Sequence, residues 1–269
     1  MTTPALKSVL AEGKSMSRPS ALSASLTFGW RSMLKLKHIP EQIFDVTVFP
    51  VLMTLMFTYL FGGALSGSTG DYLQFLLPGM LVTSVAMITM YTGTGINSDI
   101  NKGIFDRIRT LPVWRPAALV GALLGDAVRY SIAAVTILLL GLLMGFRSDA
   151  GILHVLAAIG VLLVFAFAFS WIWTMFGLLL RSEKSVMSMS MLVVMPATFL
   201  SNVYVLPETM PGWLQTVVAA NPITHTVSAV RGLLTGSVPM GWILSTLAIS
   251  AGITLIFGFI SMRLYNSRE

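Results

Sequence analysis

ILHVLAAIGVLLVFAFAFSWIWTMFGLLL, residues 152–180, runs without a single Asp, Glu, Lys or Arg. As a helix rising 1.5 Å per residue it would be about 43 Å long, enough to cross a hydrocarbon core of roughly 30 Å. Inside lipid a helix satisfies its own backbone, whereas a charge at mid-membrane costs about 2.5–3.5 kcal/mol. The stretch therefore predicts a transmembrane helix. The same criterion, applied outward, finds apolar stretches with few or no charges near 43–63, 73–98, 117–146, 187–206 and 242–262. The expected fold class is all-α integral membrane, with six transmembrane helices.

Composition agrees. The chain has 269 residues, 55% of them hydrophobic and only 10% charged, against about a quarter in a soluble domain. Its mean hydropathy is +0.82. Seventeen Lys plus Arg against eleven Asp plus Glu give a formal +6, which in so apolar a chain reads as a topology signal rather than a nucleic-acid surface. No nucleic-acid partner is expected. With no cysteine, disulfides, thiolate metal sites and cysteine nucleophiles are excluded.

The basic residues partition between alternate loops. Lys7, Lys14, Arg18, Arg31, Lys35 and Lys37 precede the first span, and Lys102, Arg107, Arg109 and Arg115 lie between the second and third. Arg181 and Lys184 follow the fourth, and Arg263 and Arg268 the sixth. In a six-span chain all of these fall on one side, leaving Arg147 and Arg231 opposite and Arg129 inside the third helix. The expected location is therefore the cell membrane, multi-pass, with both termini cytoplasmic. The uncharged stretch 209–230 is interrupted by Pro211, Asn221 and Pro222, and it reads as two re-entrant half-helices, within an element at 207–236, rather than as a seventh span.

Residues 1–20 are polar and rich in Ser, Lys and Pro, and read as a mobile cytosolic lead without a signal peptide. Over 21–39, Leu22, Leu26, Trp30, Met33, Leu34 and Leu36 share one helical arc, with Arg31, Lys35 and His38 opposite. That pattern predicts an amphipathic helix in the membrane interface, in contact with lipid and ended by Pro40. The membrane-spanning body is placed at 40–265 and a cytosolic tail at 266–269.

Few constellations carry chemistry. Gly13-Lys14-Ser15 resembles the end of a P-loop, but Ser8 stands where the motif needs its first glycine. Gly93-Thr94-Gly95 lacks the third glycine of a dinucleotide fingerprint. No catalytic residue, bound cofactor or metal is expected, since His38, His154 and His225 have no neighbour at ligand spacing. Asp126 and Arg129 would meet on one face of the third helix, either as a structural pair near the interface or as a proton or substrate relay. Gly121-xxx-Gly125 and Gly141-xxx-Gly145 permit close helix approach, within one subunit or between two.

The loop 99–116, DINKGIFDRIRTLPVWRP, is too long and too polar for a hairpin turn. Ile104, Ile108 and Leu111 recur at helical spacing, Asp106, Arg107 and Arg109 cover the other side, and Pro112 stops the helix. A short amphipathic helix of this kind either floats at the headgroups or docks into a groove on a soluble partner.

GIFDRIRTLPVWRP at 103–116 is similar to the cytoplasmic loop of type-2 ABC exporter permeases. LPETMPGWLQTVVAANPITHTVSAVRGLLTG at 206–236 resembles the family's Pro-Trp-Leu, Asn-Pro-Ile/Leu-Thr and closing Arg pattern before the last span. PEQIFDVTVFPVLMTLMFTYLFGG at 40–63 narrows the likeness to the daunorubicin-resistance (DrrB-like) branch. The resemblance implies a non-enzymatic transmembrane subunit of an ATP-driven exporter of lipophilic substrates. Its implied partners are two copies of a separate P-loop ABC ATPase, which would hold ATP and Mg, and a second permease, either itself or a sister chain. By the same resemblance Gly103, Ile104, Asp106, Arg107, Ile108, Arg109, Leu111 and Pro112 form the coupling helix that receives the ATPase's motion. Asp106 stands where other members often show Glu, which keeps the charge and shortens the reach. Pro211, Trp213, Asn221, Pro222 and Arg231 would shape the extracellular exit element. The alternative is an ion- or proton-coupled secondary transporter working through Asp126 and Arg129, for which inverted repeats and several mid-membrane acids would be expected; neither is found. A membrane-embedded transferase or hydrolase would need acids and histidines converging at one depth, and the acids mostly flank the spans.

Overall fold

The computed structural model describes residues 20–36, 40–104, 107, 116–148 and 150–267. Among them the chain is all-helical: α1 (Ala21–Leu36), α2 (Pro40–Ser66), α3 (Thr69–Asn101), α4 (Ala117–Met144), α5 (Ile152–Leu179) and α6 (Glu183–Phe199). A 3-10 turn (Pro207–Thr209) leads to α7 (Gly212–Ala220), α8 (Pro222–Leu234) and α9 (Met240–Asn266). Five helices are long and apolar enough to cross a membrane: Val48–Ser66 of α2, α3, Leu119–Met144 of α4, α5 and α9. This is a multi-pass membrane protein.

The stretch expected to span over 187–206 differs from expectation. Its helix, α6, starts earlier and stops at Phe199, so its 17 residues measure about 26 Å. Ser182 sets the start by accepting the Ser185 N–H at 3.1 Å, and Glu183 favours the helix's positive end. Beyond Phe199 the chain runs without helix to Leu206, and Val203 lies directly on Gly79 of α3.

α3 is the hub, with buried residues on all sides from Tyr72 to Asn97 and contacts to α2, α4, α5, α6 and α8. Its start is fixed by Ser68, which accepts the Asp71 N–H at 3.0 Å and donates to the Asp71 carboxylate at 2.6 Å. Apolar burial gives little drive in lipid, so helices associate where small residues let backbones meet. Gly93 of α3 and Gly177 of α5 do this: a Cβ on Gly93 would strike the Trp173 carbonyl, and one on Gly177 the Gly93 carbonyl.

Three of the four glycines in the Gly-xxx-Gly pairs of α4 meet other helices of the chain. Gly121 receives Phe28 and Ser25 of α1, with Gly29 set against Gly121 and Gly125, while Gly141 receives Leu77 of α3. Gly145 ends α4 at φ 102, a left-handed cap that an L side chain rarely adopts. α1 therefore docks on α4 through Ala24, Ser25 and Gly29 and turns Leu22, Leu26, Trp30 and Leu34 outward as an exposed apolar stripe. These four belong to the six-residue apolar arc read from the sequence.

Candidate functional site

Three clusters of polar or special residues stand out along the molecule. The first lies where α3 ends. Lys102 and Gly103 close the helix through N–H bonds to Ser98 O at 3.0 Å and Ile100 O at 2.9 Å, and Gly103 takes φ 65 to turn the chain. The Arg107 N–H then reaches Gly103 O at 3.4 Å, the spacing of a new helical turn. Within that turn Ile104 packs on the cluster of Ile96, Leu119, Leu178 and Tyr265, which also receives Phe28 of α1. Arg107 is exposed. Asp106, Ile108, Arg109, Leu111 and Pro112 lie outside the described residues, as does His38. The structure thus splits the sequence-selected residues by direction, with Ile104 turned to its own chain and Arg107 turned out.

The second cluster is buried between α3, α4 and α5. Arg129 Nη2 meets Asp126 Oδ1 at 3.2 Å, with Asp126 4% and Arg129 9% exposed. The pair is enclosed by its neighbours, and α3 supplies Thr92, whose hydroxyl donates to Asp126 Oδ2 at 2.5 Å. Thr92 Oγ1 also lies 2.8 Å from the Tyr130 hydroxyl, which lies 2.7 Å from Ser170 Oγ of α5. The Thr92 proton goes to the carboxylate and the Ser170 proton is directed to Ala166 O at 2.6 Å, so the single Tyr130 proton is shared between the two hydroxyls. Nearby, Trp173 Nε1 donates to Thr89 Oγ1 at 2.7 Å, and Asn97 Nδ2 donates to Gly177 O at 3.0 Å and Leu180 O at 2.7 Å, closing the end of α5. Of these residues the sequence singled out only Asp126 and Arg129. Thr92, Tyr130, Ser170 and Asn97 carry no periodic signal that would set them apart.

The third cluster is at the opposite end. Asn221 joins three elements: its Nδ2 donates to Ala197 O and Leu200 O, both at 2.6 Å, and its Oδ1 accepts the Ile223 N–H at 2.9 Å. It therefore closes the last turn of α6 and caps α8, with Pro222 at the first helical position, where a missing N–H does no harm. Arg231 of α8 donates through Nε and Nη2 to Phe75 O at 3.3 and 3.1 Å, and through Nη2 to Asn202 O at 3.0 Å. Its guanidinium sits 4.1 Å from the Phe75 ring centre. Asn202 donates to Ser228 Oγ at 2.9 Å, and the Tyr72 hydroxyl to Tyr204 O at 3.1 Å. Pro211 precedes α7, whose Trp213 is 70% exposed and joins none of these contacts. His225 bonds Ser245 Oγ and Ala219 O, each at 2.9 Å, and among the described residues no three His, Asp or Glu gather as a metal site.

The profile of the ABC-2 type transporter family matches residues 24–235, most of the chain. The protein belongs to that family. It is 48% identical to "Daunorubicin resistance ABC transporter permease protein DrrB1" of Streptomyces coeruleorubidus, over all of this chain and 96% of that one. It is 24% identical to "Probable doxorubicin resistance ABC transporter permease protein DrrC" of Mycobacterium tuberculosis, over 80% of this chain and 78% of the relative. The same identity links it to "Putative transport permease ycf38" of Cyanophora paradoxa, over 80% and 74%. The chain is thus a DrrB-like type-2 ABC permease, as the motifs at 40–63, 103–116 and 206–236 implied, and its relatives are transport components. Membership of this family implies an ABC ATPase as partner.

Proposed function

We propose that this chain is the membrane subunit of an exporter that moves a lipophilic substrate, a drug, lipid or lipid-like natural product, outward across the cell membrane. A separately encoded P-loop ATPase, two copies per complex and carrying the ATP and Mg, drives it, and a second permease, the same chain or a sister, completes the pathway. In this reading α6 is a short sixth span, the α7–α8 hairpin is an extracellular re-entrant element around Asn221 and Arg231, and both termini are cytoplasmic. The alternation of basic loops supports that topology.

The observation that carries the reading is the full-length likeness to a drug-resistance permease. The turn at Gly103 adds to it, with Ile104 anchored in the chain's own apolar cluster and Arg107 presented outward. A turn held from behind by Ile104 and charged in front at Arg107 suits a groove on a soluble partner. Closure of the ATPase on nucleotide would shift the population between inward- and outward-facing arrangements. The test is to purify the tagged chain gently and identify what accompanies it. A stoichiometric P-loop protein, with hydrolysis stimulated by substrate and weakened by Arg107→Glu, is the expected result. A chain that arrives alone and transports without ATP overturns the reading and favours a secondary transporter.

A further inference from the structure

The Gly93–Gly177 crossing, the Trp173–Thr89 bond and the Asn97 bonds to Gly177 O and Leu180 O already make α3 and α5 one body. α4 is a different case. It is the other helix entering the 102–116 loop, and among the described residues a buried polar attachment to that body is the chain of groups from Asp126 through Thr92 and Tyr130 to Ser170.

Thr92 lies nine residues before Asn101, where α3 ends, and Asp126 nine residues after Ala117, where α4 begins. Each is therefore about 14 Å from the loop along its helix. The Thr92–Asp126 bond closes the α3–loop–α4 hairpin at equal height on both arms. All four groups are shut off from solvent, with Thr92 2%, Tyr130 1% and Ser170 0% exposed. Such bonds polarise one another, and water cannot replace one that breaks.

We propose that the Asp126–Thr92–Tyr130–Ser170 chain is the link that makes α4 move with α3 and α5 when the 102–116 loop is displaced, with Thr92 and Tyr130 as positioning residues. The proposal rests on the exporter reading above. Without the link, displacement of the loop would slide α4 along α3 instead of moving the three helices together, and hydrolysis would run without export.

The test reconstitutes the complete complex in vesicles and measures transport per ATP hydrolysed. Tyr130→Phe keeps the ring and removes only the hydroxyl, Thr92→Val removes the donor to Asp126, and Thr92→Ser keeps it. Tyr130→Phe and Thr92→Val should retain the ATPase and hydrolyse at wild-type rate, while transport per ATP falls about tenfold, the equivalent of one ordinary hydrogen bond. Thr92→Ser should restore the ratio. Should Thr92→Val fail to assemble, Tyr130→Phe carries the test, because its packing is unchanged. Proportional loss of transport and hydrolysis, or an unchanged ratio in Tyr130→Phe, overturns the proposal and leaves the chain a structural tie. Failure of the exporter reading is seen separately, in wild-type vesicles whose transport does not depend on ATP.

Discussion

Asn221 offers the sharpest quantitative test of the structure, because one small side chain makes three bonds whose strengths can be separated by substitution. Its Oδ1 caps α8, and a cap of this kind is worth about 1 kcal/mol. Its Nδ2 closes two carbonyls at the end of α6, and each bond adds about 1 kcal/mol. Asn221→Ala should therefore destabilise the protein by about 3 kcal/mol. Asn221→Ser keeps a capping oxygen, and its single hydroxyl is too short to serve both carbonyls, so it should lose about 2 kcal/mol. Asn221→Asp keeps the cap but turns a carboxylate oxygen toward the two carbonyls, and should be the worst of the three at neutral pH. The assay is denaturant or thermal unfolding of the purified protein in one detergent, followed by tryptophan fluorescence, with the three variants compared side by side. The order Ser, Ala, Asp of increasing damage is the expectation. An Asp variant as stable as the wild type would show that the Nδ2 bonds do not exist in the membrane, and the account of this junction would fail.

Three further outcomes follow from the packing and the charge pattern. Gly93→Ala drives a Cβ into the Trp173 carbonyl and should destabilise by about 1–3 kcal/mol, whereas Gly95→Ala, two residues on with open space around it, should be neutral or slightly stabilising in the same melt. Ile104→Ala should lower thermal stability by about 1–2 kcal/mol through lost packing on the cluster of Ile96, Leu119, Leu178 and Tyr265, while Arg107→Glu should reduce ATPase retention in a pull-down. Because the chain has no cysteine, single cysteines can report topology: Ser267→Cys should react with an impermeant thiol reagent only after the cells are opened, and Arg147→Cys before.

What the sequence made legible follows the range of the physics involved. Span positions depend on local hydropathy, so α3, α4, α5 and α9 lie where the apolar runs predicted. The end of α6 does not follow the same rule, because Phe199 to Leu206 is still apolar enough to read as span. What stops the helix is long-range, with Val203 seated on Gly79 and the end carbonyls taken by Asn221. Likewise Asp126 and Arg129 announce themselves by spacing, whereas their enclosure depends on Thr92, which is 34 residues from Asp126 in sequence. Their spacing in α4 gives no sign of the α3 wall that buries the pair. Asn221-Pro222 could be read as a break between half-helices; the target of the Asn221 amide could not, since it lies 24 residues back at Ala197.

The attachment of α6 gives the Asn221 prediction a second, local readout. Only one stripe of this helix is buried, Val186, Ser190, Val194 and Thr198, and the Ser190 hydroxyl finds no partner there. α3 and α5, by contrast, share a backbone crossing and several side-chain bonds. A helix with few buried contacts opens at lower free energy than the core around it. Asn221 is the polar tie that fixes the far end of α6, so its loss should not be felt evenly. In Asn221→Ala, amide exchange should quicken first over the last turns of α6 and the first turn of α8, while the α3–α5 crossing keeps its protection. Uniform acceleration across all helices would mean that α6 shares the stability of the hub and that its narrow contact stripe has no energetic consequence.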